Sequence, residues 1–304
     1  MIDLVPASDY IRLFRGRTFV FKLGGGCLSR PGLVAELARQ IAVVDACGAR
    51  PVVVHGAGPQ VDEVQRSLGE EPVKVAGRRV TTPAALEALL QVARGSIGPL
   101  LAKELERRGA RPRHVPAEEV VVADRRPPVQ TEAGLVDFGL VGDIRRVHAG
   151  PLRALVDAGV IPILSPPVGD RAGRDRYLNA NADLLAAQVA GALGADKLLL
   201  VTSAPGVLSD PSDPRSALST LTVRELDQLE RSGAIQDGMK VKAKAARDAL
   251  SAGVPRVHVV SGVEPDALLG ELFTTHGTGT LVTVEKESAP AGAEAYHAFR
   301  EARA

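Results

Sequence analysis

Short apolar runs alternate with longer stretches of helical spacing from one end of the chain to the other. Residues 19–23 (Phe-Val-Phe-Lys-Leu) read as a strand, and 33–46 repeat apolar positions at the interval of a helix. A strand at 51–55 and a helix from about Gln60 follow. Further along come a strand at 160–164, a helix at 182–193, a strand at 197–202, a helix at 239–252 and a strand at 256–260. Strands alternating with helices predict an α/β fold: an open, mostly parallel central sheet sandwiched by helices, in two lobes. Polar stretches broken by Gly and Pro at 71–81, 125–146 and 169–178 have the length of hairpins standing above that sheet. Expected units are an N-terminal helix (1–17), an N-terminal lobe (18–194), a C-terminal lobe (195–285) and a tail (286–304). In the first of these, Ser8 is placed to cap a helix at 9–15, with Tyr10, Leu13 and Phe14 on one face. So short a helix needs its own sheet or another subunit to pack on.

Composition narrows the function. The 304 residues carry 37 Lys+Arg against 36 Asp+Glu, a formal charge of +1, which gives no electrostatic reason to expect nucleic acid. Aromatic residues are 3% and Trp is absent, so base-stacking platforms are not expected. Two cysteines, Cys27 and Cys47, exclude a disulfide framework and suit a reducing, cytoplasmic setting. No apolar run approaches the length of a membrane helix, and the opening Met1-Ile2-Asp3-Leu4-Val5-Pro6 is not a signal peptide. The six histidines have no metal-ligand spacing, and no protein metal site is expected.

Candidate chemistry sits at strand ends. Lys22 closes the first strand and opens Lys22-Leu23-Gly24-Gly25-Gly26, which lacks the Walker spacing. The glycines are either a flexible turn or a cradle of N–H groups for phosphate beside the Lys22 ammonium. His55-Gly56-Ala57-Gly58-Pro59 follows the second strand, but Val61 takes the third glycine position of a dinucleotide fingerprint. An anion at a helix N-terminus is the better reading. Gly77-Arg78-Arg79-Val80-Thr81-Thr82 is either a guanidinium turn that captures a carboxylate or a solvated basic turn. Asn179-Ala180-Asn181-Ala182-Asp183 offers a carboxylate able to hold two ammonium groups, and Gly238-Met239-Lys240-Val241-Lys242 supplies the second. Glycine-rich turns, paired lysines and an organising acid are what phosphoryl transfer requires. Asp137-Phe138-Gly139 matches a protein-kinase tripeptide by chance, since no H-R-D-x-x-x-x-N loop accompanies it.

In this order, the five motifs resemble the amino-acid kinase family, and within it the N-acetylglutamate kinases, from about Tyr10 to Val284. The resemblance implies that Lys22 and Lys242 stabilise the phosphoryl group in flight and that Asp183 orients both. It implies phosphate and acyl-oxygen contacts from Gly24, Gly25, Gly56 and Ala57, and nucleotide contacts from Ser203, Gly206 and Met239. Arg79 and Asn179 would hold the α-carboxylate of the acid, with Lys74 supporting. The implied substrates are ATP with Mg²⁺, held mainly by the nucleotide phosphates, and N-acetyl-L-glutamate, in arginine biosynthesis. Tyr10, Glu271, Gly277 and Gly279 resemble the arginine-inhibited hexameric members, implying L-arginine as effector and a homo-oligomer, either a dimer or a trimer of dimers. Otherwise Glu271 is a surface acid at a helix end.

Departures from the pattern point to bifunctional synthase–kinases. Ala57 stands where simple kinases have glycine, residues 114–124 lack the Gly-rich pattern kinases usually show, and residues 137–144 lean toward synthase-type relatives. Ser203 stands where many members have Asp, which bears on the base or ribose contacts. No acetyltransferase domain is expected after Val284, and Lys22 favours a live kinase. Two other readings stay open: a catalytically silent arginine-sensing subunit of a synthase, and a kinase for an aminoadipate derivative.

Overall fold

A computed structural model describes residues 4–75, 78–131 and 134–285. The chain opens with α1 (Leu4–Phe14), β1 (Thr18–Leu23), a 3₁₀ turn at Gly25–Leu28 and α2 (Pro31–Ala46). Next come β2 (Arg50–His55), α3 (Gly58–Ser67), β3 (Lys74–Val75), β4 (Arg78–Arg79), α4 (Pro83–Val92) and α5 (Gly98–Glu106). The middle holds β5 (Pro112–His114), α6 (Ala117–Val120), β6 (Val121–Arg125), β7 (Val129–Thr131), β8 (Gly134–Val136) and β9 (Gly142–Val147). After them run α7 (Ala149–Asp157), β10 (Ile161–Leu164), β11 (Val168–Asp170), β12 (Tyr177–Leu178), α8 (Ala182–Leu193) and β13 (Lys197–Thr202). The chain closes with β14 (Thr220–Thr222), α9 (Val223–Arg231), α10 (Asp237–Ser251), β15 (Val257–Ser261), α11 (Ala267–Phe273) and β16 (Thr280–Thr283).

Eight strands form the central sheet in the order β14-β16-β15-β13-β1-β2-β10-β5, and only β15–β16 pair antiparallel. Their side chains alternate between two cores. Phe19, Phe21 and Leu23 of β1 join Val53 and Leu199 beneath α2, α4, α5 and α11. Val20 joins Val52, Val54, Leu198 and Leu200 beneath α7, α8, α9 and α10. Strands buried on both faces explain why the sequence shows unbroken apolar runs there. The stretches expected as hairpins contain the antiparallel pairs β3–β4, β7–β8 and β11–β12, the last belonging to a second, four-stranded sheet with β6 and β9.

One expectation needs correcting. The first helix starts by Leu4, so Ser8 lies inside it rather than at its N-cap. Pro6 falls in the first turn, where a missing N–H breaks no helical bond, and the helix extends through it. The expected apolar face is present: Phe14 is buried, its ring 5.0 Å from Phe19 and 5.5 Å from Phe273. Thus α1 rests on its own sheet and on α11. The stretch expected as a tail, 286–304, lies outside the described residues.

Candidate active site

The topology reverses direction at β1. Its neighbours are β13 on one side and β2 on the other, both parallel, with Leu23 level with Val201 and His55. The turns that leave these three strands therefore emerge side by side, in the crevice where open α/β sheets bind ligands. Gly24 donates its N–H to the Val201 carbonyl at 3.0 Å, and Gly56 donates to the Leu23 carbonyl at 2.9 Å. Gly25 is wedged against α3: a Cβ there would lie 2.8 Å from Pro59 Cδ and 3.0 Å from Gly58 N. Only glycine lets the two turns meet this closely. Ala57 precedes the first residue of α3, whose opening N–H groups have no helical partners.

Strand alternation places Lys22 on the face covered by α8 and α10. Asn181 starts α8, its side chain accepting from the N–H of Asp183 at 2.8 Å and of Leu184 at 3.2 Å. That cap is worth about 1 kcal/mol and fixes Asp183 in the first turn. Small residues, Ala186 and Ala190 of α8 and Ala245, Ala246 and Ala249 of α10, lie in one core. Gly191 packs so closely on Ala252 that a Cβ would meet it at 2.6 Å, which brings α10 close. Lys22 Nζ then lies 2.9 Å from Asp183 Oδ1, and Lys242 Nζ lies 3.6 Å from Asp183 Oδ2. All three side chains are nearly buried. The Lys22 ammonium approaches off the hydrogen-bonding axis, leaving Oδ1 with a charge partner and no aligned hydrogen bond. Burial would raise the Asp183 pKa, but the two ammonium charges outweigh it and hold it below the ordinary carboxylate value. Burial lowers the Lys242 pKa, Asp183 opposes and Lys22 adds to the fall.

A cleft of about 320 Å³ opens beside this cluster, lined among others by Lys22, Gly25, Gly56, Ala57, Asn179 and Asp183. Lys74, Arg78, Arg79 and Arg126 add a cationic wall. Arg78 and Arg79 lie on β4 rather than in a turn. Asn179 donates Nδ2–H to Thr81 Oγ1 at 2.9 Å, tying the segment before α8 to the end of the β3–β4 hairpin. Gly24, Ser203, Gly206, Met239 and Lys242 do not line this cleft. Ser203 and Gly206 follow β13, and Met239 is in the first turns of α10. Gly206 packs on Thr280, whose Oγ1 would meet a Cβ at 2.6 Å.

Asp62 was not foreseen. Its carboxylate accepts from Lys74 Nζ at 2.6 Å and from Arg79, which also donates to Gln65 and to the Gly58 carbonyl. Among polar positions of α3, a lone acid carries no sequence signal of partners 12 and 17 residues away. Glu271, by contrast, is not a surface acid. It is buried on α11, with Oε1 2.6 Å from His258 Nδ1, and Oε2 accepts the N–H of Thr278 and Gly279 at 2.7 and 2.8 Å. A Cβ at Gly277 (φ +63°) would meet that same Oε2 at 2.7 Å. Helix α1, which carries Tyr10, packs on α11.

The end of β2 carries a pH-sensitive residue. His55 is fully buried, its Nε2 has no partner among the described residues, and burial pulls its pKa down to about 4, with the Gly56 carbonyl opposing. His114 and His258 are also lowered, chiefly by burial. Between pH 6.5 and about 4 the unfolded chain therefore binds protons that the folded chain does not, so stability falls as pH falls through that window. Denaturant titrations from pH 7 to 4.5 should show this decline, and His55→Phe should make it shallower whatever its own effect at pH 7.

The residues from 17 to 261 match the model of the amino acid kinase family. The chain belongs to that family. An acetylglutamate kinase of Myxococcus xanthus is 43% identical over 300 residues, covering 94% of this chain and 95% of the relative. An acetylglutamate kinase of Acinetobacter baumannii is 37% identical, covering 92% of this chain and 93% of its own. Among solved structures, the family fold is shared with an N-acetylglutamate synthase from Neisseria gonorrhoeae complexed with coenzyme A and N-acetyl-glutamate. That match has a TM-score of 0.81 at 28% identity and covers 93% of this chain, which spans only 63% of the synthase. A Giardia carbamate kinase, at TM-score 0.63 and 18% identity, shares the fold.

Proposed function

We propose that this protein is an ATP-dependent kinase that converts the side-chain carboxylate of N-acetyl-L-glutamate into an acyl phosphate. The observation that carries the reading is the buried Asp183 carboxylate between two ammonium groups, at 2.9 and 3.6 Å, beside converging glycine-rich turns. Full-length relatives named acetylglutamate kinase support the choice of acid.

The attacking carboxylate, with an ordinary pKa near 4.3, is ionised at pH 7 and needs no general base. Its oxygen forms a bond to the γ-phosphorus as the bond to the β–γ bridging oxygen breaks and ADP departs. Negative charge spreads over the transferring group, and Lys22 and Lys242 stand on either side of Asp183 to meet it. Asp183 lets two ammonium groups stay charged within one buried cluster. The N–H groups of Gly24, Gly25, Gly56 and Ala57 would steady phosphate and acyl oxygens, with Arg79 and Asn179 on the acid side. Ser203, Gly206 and Met239 are assigned to the nucleotide and Lys74 to support. Asp183 is already engaged by both lysines. Mg²⁺ would therefore be carried by the nucleotide phosphates, where it supplies further charge neutralisation.

Regulation by L-arginine is part of the proposal. The buried Glu271 carboxylate of α11 organises the half-buried loop that carries Gly277 and Gly279, and α11 also supports α1; α1 would serve a homo-oligomer. Millimolar L-arginine is expected to inhibit, and a flat activity titration would remove the effector from the account. A coupled assay of ADP release tests the reaction itself. Release should depend on N-acetyl-L-glutamate, with aminoadipate derivatives poorer. Equal release without any acid would overturn the assignment.

A further inference from the structure

The two glycine-rich turns serve opposite halves of the proposed reaction, and their tips are joined by a side chain that does not line the cleft. Gln60 lies in the first turn of α3, directly after His55-Gly56-Ala57-Gly58-Pro59. Its Nε2 donates to the Gly25 carbonyl at 2.8 Å, across 35 residues of chain. Gly25, Gly56, Ala57, Gly58 and Pro59 line the cleft, and half-buried Gln60 stands behind them. Only the nitrogen end of an amide can donate to a carbonyl, which fixes how Gln60 is turned. Its Oε1 is left buried with no hydrogen-bond partner among the described residues, 3.1 Å from where a Gly25 Cβ would stand. The sheet ties the bases of the two turns, through Gly24 to the Val201 carbonyl and Gly56 to the Leu23 carbonyl. At the tips, Gln60 is the one side chain of α3 that hydrogen-bonds to the first turn among the described residues.

Joining two anions makes the reaction sensitive to distance. The carboxylate oxygen must approach phosphorus in line, and a misplacement of about 1 Å costs roughly 10²-fold in rate. Gly25 has no Cβ to limit its backbone, so its place depends on what it is fastened to. The donor of the Gln60–Gly25 bond rides on the helix that the acid turn opens, and the acceptor belongs to the phosphate turn. Resting on the acid-kinase reading above, we infer that Gln60 is a positioning residue that sets the approach of the acid carboxylate to the transferring phosphoryl group. As a packing residue it gains little, because the orphaned Oε1 offsets the bond that Nε2 makes. An apolar chain of the same length would remove bond and orphan together, so stability and geometry can be separated.

The test measures kcat, KM for ATP and for N-acetyl-L-glutamate, and Tm in wild type, Gln60→Met and Gln60→Glu. Gln60→Met keeps the length of the side chain and removes both polar ends. Its kcat should fall by roughly 10- to 100-fold, with each KM within about threefold and Tm no lower than wild type. Gln60→Glu keeps the shape, and its carboxyl can donate to the Gly25 carbonyl only when protonated, a form that burial favours. Its kcat relative to wild type should therefore rise as pH is lowered from about 8 to about 5.5, which a packing role would not produce. A kcat within about twofold of wild type in Gln60→Met, a loss of kcat accompanied by a loss of Tm, or a relative kcat of Gln60→Glu that ignores pH overturns the inference. Each of these leaves the kinase reading standing. A wild type that releases no ADP in response to N-acetyl-L-glutamate overturns that reading, and this inference with it.

Discussion

Lys22→Ala is expected to lower kcat by roughly 10²–10³ at saturating ATP and acid, the loss typical of removing one preorganised donor from developing charge. The effect should fall on kcat more than on either KM, because the group being stabilised carries its spread charge only during transfer. Lys22 sits on the β1 face lined by Val20, Val52 and Leu198, so an alanine fits the strand without a polar atom to satisfy. Asp183 keeps Lys242 as a partner at 3.6 Å in this variant and should stay ionised. Circular dichroism and Tm separate a folded, slow enzyme from a misfolded one. Turnover within a few-fold of wild type would remove Lys22 from the mechanism.

Asp183→Asn should have the larger combined effect. The substitution leaves two ammonium groups in a buried cluster with no counter-charge, and breaking a buried ion pair from one side is destabilising by roughly 3–5 kcal/mol. The Lys242 pKa, already lowered by burial, should fall further once the carboxylate that raises it is gone. At neutral pH the variant should lose about 10² or more in kcat. Its activity should recover as pH falls and Lys242 regains its proton, whereas wild-type activity should not rise on acidification. A pH–rate profile of Asp183→Asn parallel to wild type would mean that the carboxylate does not hold Lys242 charged.

The central sheet was legible because β1, β2 and β13 are buried on both faces, and unbroken apolar runs of that length admit few other readings. The two-residue strands β3, β4 and β12 were visible only as hairpin-length polar stretches, since two residues carry no periodicity. Helix α10 begins at Asp237, two residues before the expected start, and Asp237 takes a left-handed conformation (φ 41°) that Asp-Gly hides as a simple turn. Lys22, Asp183 and Lys242 were marked by being charged inside apolar or small-residue runs, an expense a sequence does not carry without use. Glu271 offered the same signal, flanked by Leu268, Leu269, Leu272 and Phe273, all buried. Asp62 and its pairing with Lys74 and Arg79 gave none. Their meaning lies in tertiary contacts between α3 and a hairpin, and neither spacing nor composition encodes those.

Hydroxylamine trapping tests the formation of an acyl phosphate most directly, because it converts that product to a hydroxamate as it forms. With ATP and N-acetyl-L-glutamate, the wild-type protein should yield one hydroxamate for each ADP released, and Lys22→Ala should lose both together. ADP release without hydroxamate, or hydroxamate formation untouched by loss of Lys22, would contradict transfer of phosphoryl to carboxylate through the lysine pair.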